Sequence, residues 1–341
     1  MTKTVRLSNI ELLRIFAIFF VLLFHSNFHT LGIPSIYNVA DNPFRYLCAF
    51  SVQGLTVICV NVFVLISGWF GIRPSLKGAL KFVYQILFFL VGSYLLAIAF
   101  DQEKLSIGGI AHCFLLDDYA WFVKSYLLLY ILAPILNSYI ESRSQSDVRK
   151  LILAFYIFQT IYGWLSDGAY FFRYGSSVVS FIGLYILARY INLYKPKFST
   201  QDRKKDILLF TMIIFLESLF LVVICSCSKL DGIYHSIVGH MYSYSSPVVI
   251  LQSVAILLYF SKLSFSCNTI NFIAASSFSS LFVHGNPYIF PYQESVISIY
   301  ANNHYFIALI KVTILCGLAF VIAILLDQIR KITWNLMNHE R

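Results

Sequence analysis

Long apolar runs alternate with short polar segments along the whole chain. A run of about 20 mostly apolar residues is long enough to cross the hydrocarbon core of a bilayer as a helix. The pattern therefore predicts an all-α fold, a polytopic membrane helix bundle with about ten transmembrane helices. The predicted helices are 9–29, 48–71, 79–100, 121–140, 150–166, 176–194, 207–226, 246–262, 269–288 and 305–328.

The ninth run, 269–288, is unusually polar for a helix that faces lipid. Its polar side chains are Ser276, Ser277, Ser279, Ser280 and His284. Polar groups without hydrogen-bond partners are costly in hydrocarbon. We therefore expect this helix to turn these side chains toward the bundle interior or a cavity.

Composition and charge exclude the soluble classes of protein. Of the 341 residues, only 12% are charged, whereas a soluble domain carries about 25%. The net charge of +9 comes from Lys and Arg in short loops rather than from one basic surface, so no nucleic-acid partner is expected. Most of these residues face the cytoplasm if both termini do, as the positive-inside rule requires. We expect a single integral-membrane domain, 1–341, with both termini cytoplasmic.

Several well-known catalytic patterns are missing from the sequence. The chain has no GxSxG, Walker, HExxH or CxxC pattern, and its seven cysteines lack the spacing of a zinc site. A soluble hydrolase or ATPase mechanism therefore finds no support, and no metal site is expected.

Two ionisable side chains interrupt the first apolar run. Arg14 and His25 are eleven residues apart, so at about 100° per residue both lie on one helix face, about 16 Å apart along the axis. Glu11 falls on the same stripe. Ionisable groups inside a membrane helix are costly and usually functional. The stripe therefore suggests a polar passage through the bundle.

Each of these side chains has a functional and a structural interpretation. Neutral imidazole can take a proton from an alcohol, which makes His25 a candidate general base; alternatively, His25 is satisfied by a neighbouring carbonyl. The Arg14 guanidinium suits the phosphates of a cytosolic donor, with Glu11 holding it in place. Alternatively, Arg14 snorkels to the inner interface.

A basic stripe follows the second run at the predicted inner surface. Arg73, Lys77 and Lys81 recur every four residues and so share one helix face. They are either ordinary positive-inside anchors or the entry for an anionic donor.

The predicted outer side carries further polar and aromatic residues. Trp121 and Lys124 begin the fourth run, and His284 and Asn286 stand in a His-Gly-Asn-Pro sequence that marks a helix ending at an aqueous site. A polar helix cap is the alternative interpretation of His284. Glu217 lies in a strongly apolar run, where structural and functional interpretations are equally open.

Four stretches, in chain order, resemble the sequence blocks of the acyltransferase-3 family, particularly its bacterial surface-polysaccharide O-acetyltransferases. The first carries the family's Arg-x10-His signature, met by Arg14 and His25. Glu11 stands where the family usually has Asp, and Arg73 is followed by Lys77 rather than by a close Arg. The four stretches are NIELLRIFAIFFVLLFH (9–25), VNVFVLISGWF (60–70), WFVKSYLLLYILAPILN (121–137) and SSFSSLFVHGNPYI (276–289).

The resemblance implies transfer of an acyl group, most often acetyl, from cytosolic acetyl-CoA to a sugar hydroxyl. His25 would act as the general base or carry the acyl group, with Arg14 on the CoA phosphates. We expect Arg73 and Lys77 to assist Arg14 in binding the donor. The acceptor is expected to be a cell-surface polysaccharide or a lipid-linked glycan, in a multi-pass protein of the bacterial inner membrane surrounded by membrane lipid. We assign the acceptor site to Trp121, Lys124, His284 and Asn286.

Two other functions fit the same composition. A flippase or polymerase of lipid-linked glycans would also be rich in aromatic residues, but it would not need the Arg14–His25 alignment. A proton-coupled transporter would use Glu217, His25 and His284 as a proton relay. Neither would depend on acyl-CoA.

Overall fold

The structure, a computed structural model, describes residues 7–117, 120–166, 170–227, 231–286 and 291–338. Within these ranges the chain forms helices, turns and loops but no β-strand, which confirms the all-α prediction.

Several helices in the first part of the chain begin with local caps. The side chains of Ser75 and Ser106 each accept a backbone N–H in the first turn, and Pro43 begins its helix where no N–H partner is needed. These helices are α1 (Ser8–His25), α2 (Phe28–Leu31), α3 (Ile36–Asp41), α4 (Pro43–Thr56), α5 (Cys59–Phe70), α6 (Leu76–Ala99), α7 (Ile107–Cys113) and α8 (Trp121–Ser142).

In the second part, Ser144 caps α9 and Ser177 caps α10 in the same way. A π-helix, Gln159–Leu165, continues α9, and short 3₁₀ turns precede α10 and α11. The α-helices are α9 (Gln145–Phe158), α10 (Val178–Tyr194), α11 (Arg203–Cys227), α12 (Asp231–Met241), α13 (Pro247–Ser261), α14 (Asn268–Ser277), α15 (Ser280–His284), α16 (Tyr292–Ala301) and α17 (Tyr305–Met337).

Six helical segments within the described residues are long and apolar enough to cross a membrane. Two shorter apolar helices, α10 and α13, correspond to the sixth and eighth predicted runs. The predicted count of ten spans and the orientation of the termini stay predictions. The six segments are Ser8–Leu31, Pro43–Phe70, Leu76–Ala99, Trp121–Ser142, Arg203–Cys225 and Tyr305–Met337.

The ninth predicted run is two short helices, α14 and α15, rather than one long helix. Its residues 287–288 lie outside the described ranges. The four serines of this run, Ser276, Ser277, Ser279 and Ser280, are each 0% exposed. The prediction that they face the interior is confirmed.

Helix α1 lies at the centre of the packing, in contact with α4, α5, α13, α14 and α17. Its first turn is fixed because the Asn9 side chain donates to the carbonyls of Phe260 (2.9 Å) and Leu263 (2.8 Å). We refer to the bundle end where α1 begins as the Arg14 end, and to the end where it finishes as the His25 end. Helix α14 starts at the Arg14 end, where Ser8 donates to Asn271.

Helices α5 and α10 approach each other closely at Gly68. A Cβ atom at this position would stand 2.4 Å from the backbone oxygen of Tyr185, so the contact requires a glycine. Helix α5 also carries Phe63, which lines the cavity described next.

Candidate active site

His25 ends α1, where a set of buried hydrogen bonds holds the following turn. The Asn27 side chain donates to the Ala49 carbonyl (3.1 Å) and to Gln53 Oε1 (3.0 Å), both in α4. Thr30 donates back to the His25 carbonyl at 2.5 Å. The backbone that presents the imidazole is therefore anchored on both sides of His25.

His25 is paired with His284, 259 residues later in the chain. His25 Nδ1 lies 2.8 Å from His284 Nε2, and His284 Nδ1 lies 2.7 Å from the Ser280 carbonyl oxygen. A carbonyl can only accept, so His284 Nδ1 carries the hydrogen and, in the neutral ring, Nε2 accepts. His25 Nδ1–H then donates to His284. The hydrogen-bond chain thereby leaves His25 Nε2 with a free lone pair.

His29 and Tyr244 complete the surroundings of His25. The ring centroids of His25 and His29 are 4.7 Å apart, and Tyr244 lies beside Phe24 with centroids 6.0 Å apart. His29 was not among the site residues predicted from the sequence. Its position four residues after His25 was a usable signal, because residues i and i+4 share a helix face.

A cavity of about 320 Å³ lies inside the bundle next to His25. From α1 it is lined by Ile18, Val21 and His25, which continue the stripe that begins at Arg14. Phe63 and Phe122 add aromatic walls. The expected polar passage between Arg14 and His25 is therefore wrong in one respect: between its two ionisable ends the stripe is apolar.

A second cavity, of about 520 Å³, lies on the other side of His25. It shares His25, His29, Trp121 and Tyr244 with the first cavity, so these four residues form a common wall. The rest of its lining is richer in hydroxyl and ring nitrogen groups. Its additional lining includes Tyr174, Ser176, Ser236, His240 and Ser243.

Arg14 lies toward the opposite end of α1 and pairs with Glu11. Its Nη1 is 2.8 Å from Glu11 Oε2 and 3.0 Å from Oε1, and its side chain is partly exposed. The predicted Glu11–Arg14 partnership is therefore present. Arg14 is also within electrostatic range of Tyr126, whose hydroxyl lies 3.0 Å from Ser67 Oγ.

Aromatic side chains in contact with one another extend from the first cavity toward the Arg14 end. Phe278 stands between Phe63 (ring centroids 5.7 Å apart) and Phe82 (5.4 Å). Tyr126 contacts Phe63 at 5.6 Å, Phe82 at 5.9 Å and Phe122 at 5.9 Å. We call these five residues the aromatic layer. The layer joins Phe63 and Phe122 in the wall of the first cavity to Tyr126, which is within electrostatic range of Arg14.

The other predicted site residues are more scattered. Trp121 and His284 line the first cavity, whereas Lys124 donates to the Asp117 carbonyl and Asn286 donates to Ser93 Oγ at 2.6 Å. Asn286 is 2% exposed and does not line either cavity.

The predicted donor-binding pair stands apart from both cavities. Arg73 and Lys77 are exposed around the start of α6 at the Arg14 end. Their role in binding the donor stays a prediction.

Glu217 is buried in α11, facing α4 near Gly54, and it lines neither cavity. Its two carboxylate oxygens have no hydrogen-bond partner among the described residues. The structure therefore does not bring Glu217 into a relay with His25 and His284. Among the described residues, no group of three His, Cys, Asp or Glu side chains is arranged to hold a metal ion.

Comparison with known proteins supplies the family. The family model of the acyltransferase-3 type, described as an acyltransferase domain, matches residues 7–328. Comparisons with curated proteins and with solved structures give no match. The matched range covers nearly the whole chain and includes every residue of the site around His25. The chain therefore belongs to the acyltransferase-3 family, and the enzyme is an acyltransferase with several apolar helices typical of a membrane protein.

Proposed function

We propose that the protein transfers an acetyl group from cytosolic acetyl-CoA to a hydroxyl of a cell-surface polysaccharide or of its lipid-linked precursor. One observation carries the proposal: the imidazole of His25, oriented by His284, stands in the common wall of two cavities of different chemistry. An apolar cavity suits an acyl thioester, and a cavity lined by aromatic rings and hydroxyls suits a sugar.

The chemistry follows from the free lone pair on His25 Nε2. This atom takes the proton of the sugar hydroxyl while the sugar oxygen attacks the thioester carbonyl carbon. A C–O bond forms, the C–S bond breaks, and the proton on His25 passes to the departing thiolate. His284 stabilises the transient imidazolium because its Nε2 accepts from His25 Nδ1–H, a contact that strengthens when the ring is charged.

The donor side is assigned to the Arg14 end, on the cytoplasmic face of a ten-helix bundle whose termini are both cytoplasmic. Lys and Arg in the short loops support this orientation. Arg14 is about 16 Å from His25 along α1 at 1.5 Å per residue, a distance of the order of an extended pantetheine arm. With the phosphates near Arg14, the thioester reaches the cavity beside His25 through the aromatic layer.

The acceptor side is assigned to the second cavity, at the outer face of a bacterial inner membrane. Trp121 stands in the common wall and Tyr174 on the far side, and flat rings of this kind pack against the apolar faces of pyranose rings. Ser236 and His240 supply hydrogen-bonding groups for sugar hydroxyls. The acceptor hydroxyl would thus meet the thioester at His25.

The experiment uses membranes that contain the wild type, His25→Ala or His235→Ala, incubated with radiolabelled acetyl-CoA and the host's lipid-linked glycans. His235 serves as a matched control, because its ring lies beside Asp231 and lines neither cavity. We expect alkali-labile label in glycan with the wild type and His235→Ala, and none with His25→Ala.

Three other results would change the proposal. Equal label in all three samples would show that acetyl transfer occurs but that His25 does not take part in it. An absence of label and of CoA binding, with the protein inserted, would favour glycan transport or polymerisation. Label that remains on denatured wild-type protein, but not on His25→Ala, would favour an acyl-histidine route over direct transfer.

A further inference from the structure

A third cavity lies at the Arg14 end, between α6, α14 and α17, and it is separate from both cavities at His25. Its volume is about 330 Å³. The described lining includes three basic side chains, Lys81 from α6 and Arg330 and Lys331 from α17, together with Gln85 and Phe82. We call Lys81, Arg330 and Lys331 the basic cleft.

Arg330 is the central group of the cleft because it is charged, buried and incompletely paired. It is 2% exposed. Its Nε donates to Asp327 Oδ1 at 2.7 Å and its Nη2 to Asp327 Oδ2 at 3.2 Å. The buried Nη1 has no hydrogen-bond partner among the described residues. A buried cationic donor without an acceptor is costly unless a ligand supplies one.

A single carboxylate, that of Asp327, stands against the positive charges of the cleft. Asp327 is 0% exposed and lies 3.5 Å from Lys331, so one carboxylate faces both Arg330 and Lys331. Gln85 also donates to this carboxylate at 3.1 Å. Lys331 donates to Ser276 Oγ at 2.5 Å, and Lys81 is exposed at the mouth. The cleft therefore keeps an excess of positive charge around a free guanidinium donor.

The cleft is also placed next to the path to His25. Phe82 lines it and belongs to the aromatic layer, in contact with Phe278. The aromatic layer therefore connects the cleft, which Phe82 lines, to the first cavity, which Phe63 and Phe122 line.

We infer that the basic cleft binds the phosphate groups of the acyl donor, with Arg330 Nη1 donating to a phosphate oxygen. This inference rests on the proposed function and adds the donor's anchor to it. Arginine suits the task because its planar donor fork matches phosphate oxygens and its charge is permanent. Arg14 would then lie beside the path of the donor rather than bind all of its phosphates.

The test measures equilibrium binding of radiolabelled coenzyme A to purified protein in nanodiscs. The variants are Lys331→Gln, Lys81→Gln with Lys331→Gln, and Arg330→Gln, with Lys150→Gln as a control that removes an exposed lysine elsewhere. Loss of one charged phosphate contact should weaken binding about tenfold. We expect this tenfold loss of coenzyme A affinity for Lys331→Gln and a greater loss for the double variant. Lys150→Gln should bind coenzyme A as the wild type does.

Arg330→Gln leaves Asp327 buried beside a neutral side chain, so its binding is compared only if it elutes as a monodisperse species. The lysine variants keep the test decisive if it does not. Unchanged coenzyme A binding in the double variant would show that the basic cleft does not bind the donor's phosphates, while the proposed function would stand. Absence of coenzyme A binding in the wild type would instead overturn the proposed function.

A phospholipid headgroup offers the same phosphate chemistry, so a second arm separates the two sources. Coenzyme A binding is repeated in nanodiscs with and without anionic phosphatidylglycerol. If the double variant binds coenzyme A as tightly as the wild type without phosphatidylglycerol and differs from it only when that lipid is present, the cleft is a lipid site and the inference fails. Weaker coenzyme A binding by the double variant in both lipid compositions supports the inference.

Discussion

Among the single residues, the proposed role of His25 as a base depends on which nitrogen of each histidine carries a hydrogen. The Ser280 carbonyl fixes the tautomer of His284, and His284 in turn fixes that of His25. An ordered chain of this kind presents His25 Nε2 as a proton acceptor without a carboxylate partner. His284 is buried and His25 is partly buried, so each of these hydrogen bonds is electrostatically stronger than it would be in water.

His284→Ala should therefore lower kcat without a comparable rise in the KM for acetyl-CoA. His25 would lose the acceptor that fixes its tautomer, and we expect a fall of about 10- to 100-fold, the size found for partners that orient metal-ligating histidines. His284→Gln keeps an oxygen near the Nε2 position and should retain more activity than Ala. Steady-state kinetics of both variants checks this, and a His284→Ala enzyme with wild-type kcat would contradict it.

Tyr174 offers a test of the acceptor side alone, because it lines the second cavity but not the first. Tyr174→Ala should raise the KM for the glycan several-fold and leave coenzyme A binding unchanged. The measurement is transfer at varied glycan concentration, with coenzyme A binding as the control. A loss of coenzyme A affinity with normal glycan KM would reverse the assignment of the two cavities.

The sequence supplied His25 and His284 but not the contact between them. Both stand at helix ends next to polar residues, which local pattern can detect, whereas their 2.8 Å approach depends on how α1 and α15 pack. Arg330 and Lys331 were passed over for a similar reason. They follow the last apolar run, where positive charge is ordinary, and only the tertiary structure shows Arg330 to be buried.

At the scale of helices, close packing of small residues fixes the walls of the site. Gly68 lets α5 lie against the backbone of α10 at Tyr185, and α5 carries Phe63 into the first cavity. The position of α1 could be predicted from its apolar run. The division of 269–288 into α14 and α15 was not, because the run contains no proline or glycine before Gly285 to mark the break.

Gly68→Val should destabilise the protein, because its side chain would clash with backbone atoms of Tyr185 that cannot rotate away. Overpacking of this kind costs about 1–3 kcal/mol or more. We expect a lower thermal unfolding midpoint in detergent. Gly92→Ala in α6 is the matched control, since a Cβ there meets no atom within 4 Å. Equal midpoints for Gly68→Val and the wild type would show that α5 and α10 are not so closely packed.

In the molecule as a whole, the parts of the site follow one another from the Arg14 end of the bundle to the His25 end. The basic cleft and Arg14 lie at one end, the aromatic layer follows, and the apolar cavity meets the hydroxyl-rich cavity at His25. A donor from one side of a membrane and an acceptor from the other would meet at this point. Such a route has meaning only if the Arg14 end faces the cytoplasm.

Reporter fusions test that orientation. A fluorescent protein that folds only in the cytoplasm should be active when fused after Arg341, and alkaline phosphatase should be inactive there. A phosphatase inserted at Gln102, in the turn after α6, should be active, because it would lie on the outer side. The opposite pattern at both positions would place the basic cleft outside and contradict the donor route.

Chemical rescue tests whether the imidazole at position 25 performs the reaction. Transfer of label from acetyl-CoA to glycan is measured for His25→Ala with and without added imidazole, beside wild type and His235→Ala. We expect no transfer by His25→Ala alone and partial recovery with imidazole, since removal of the side chain enlarges the cavity of about 320 Å³ beside it. Wild-type transfer by His25→Ala without imidazole would show that His25 does not perform the reaction.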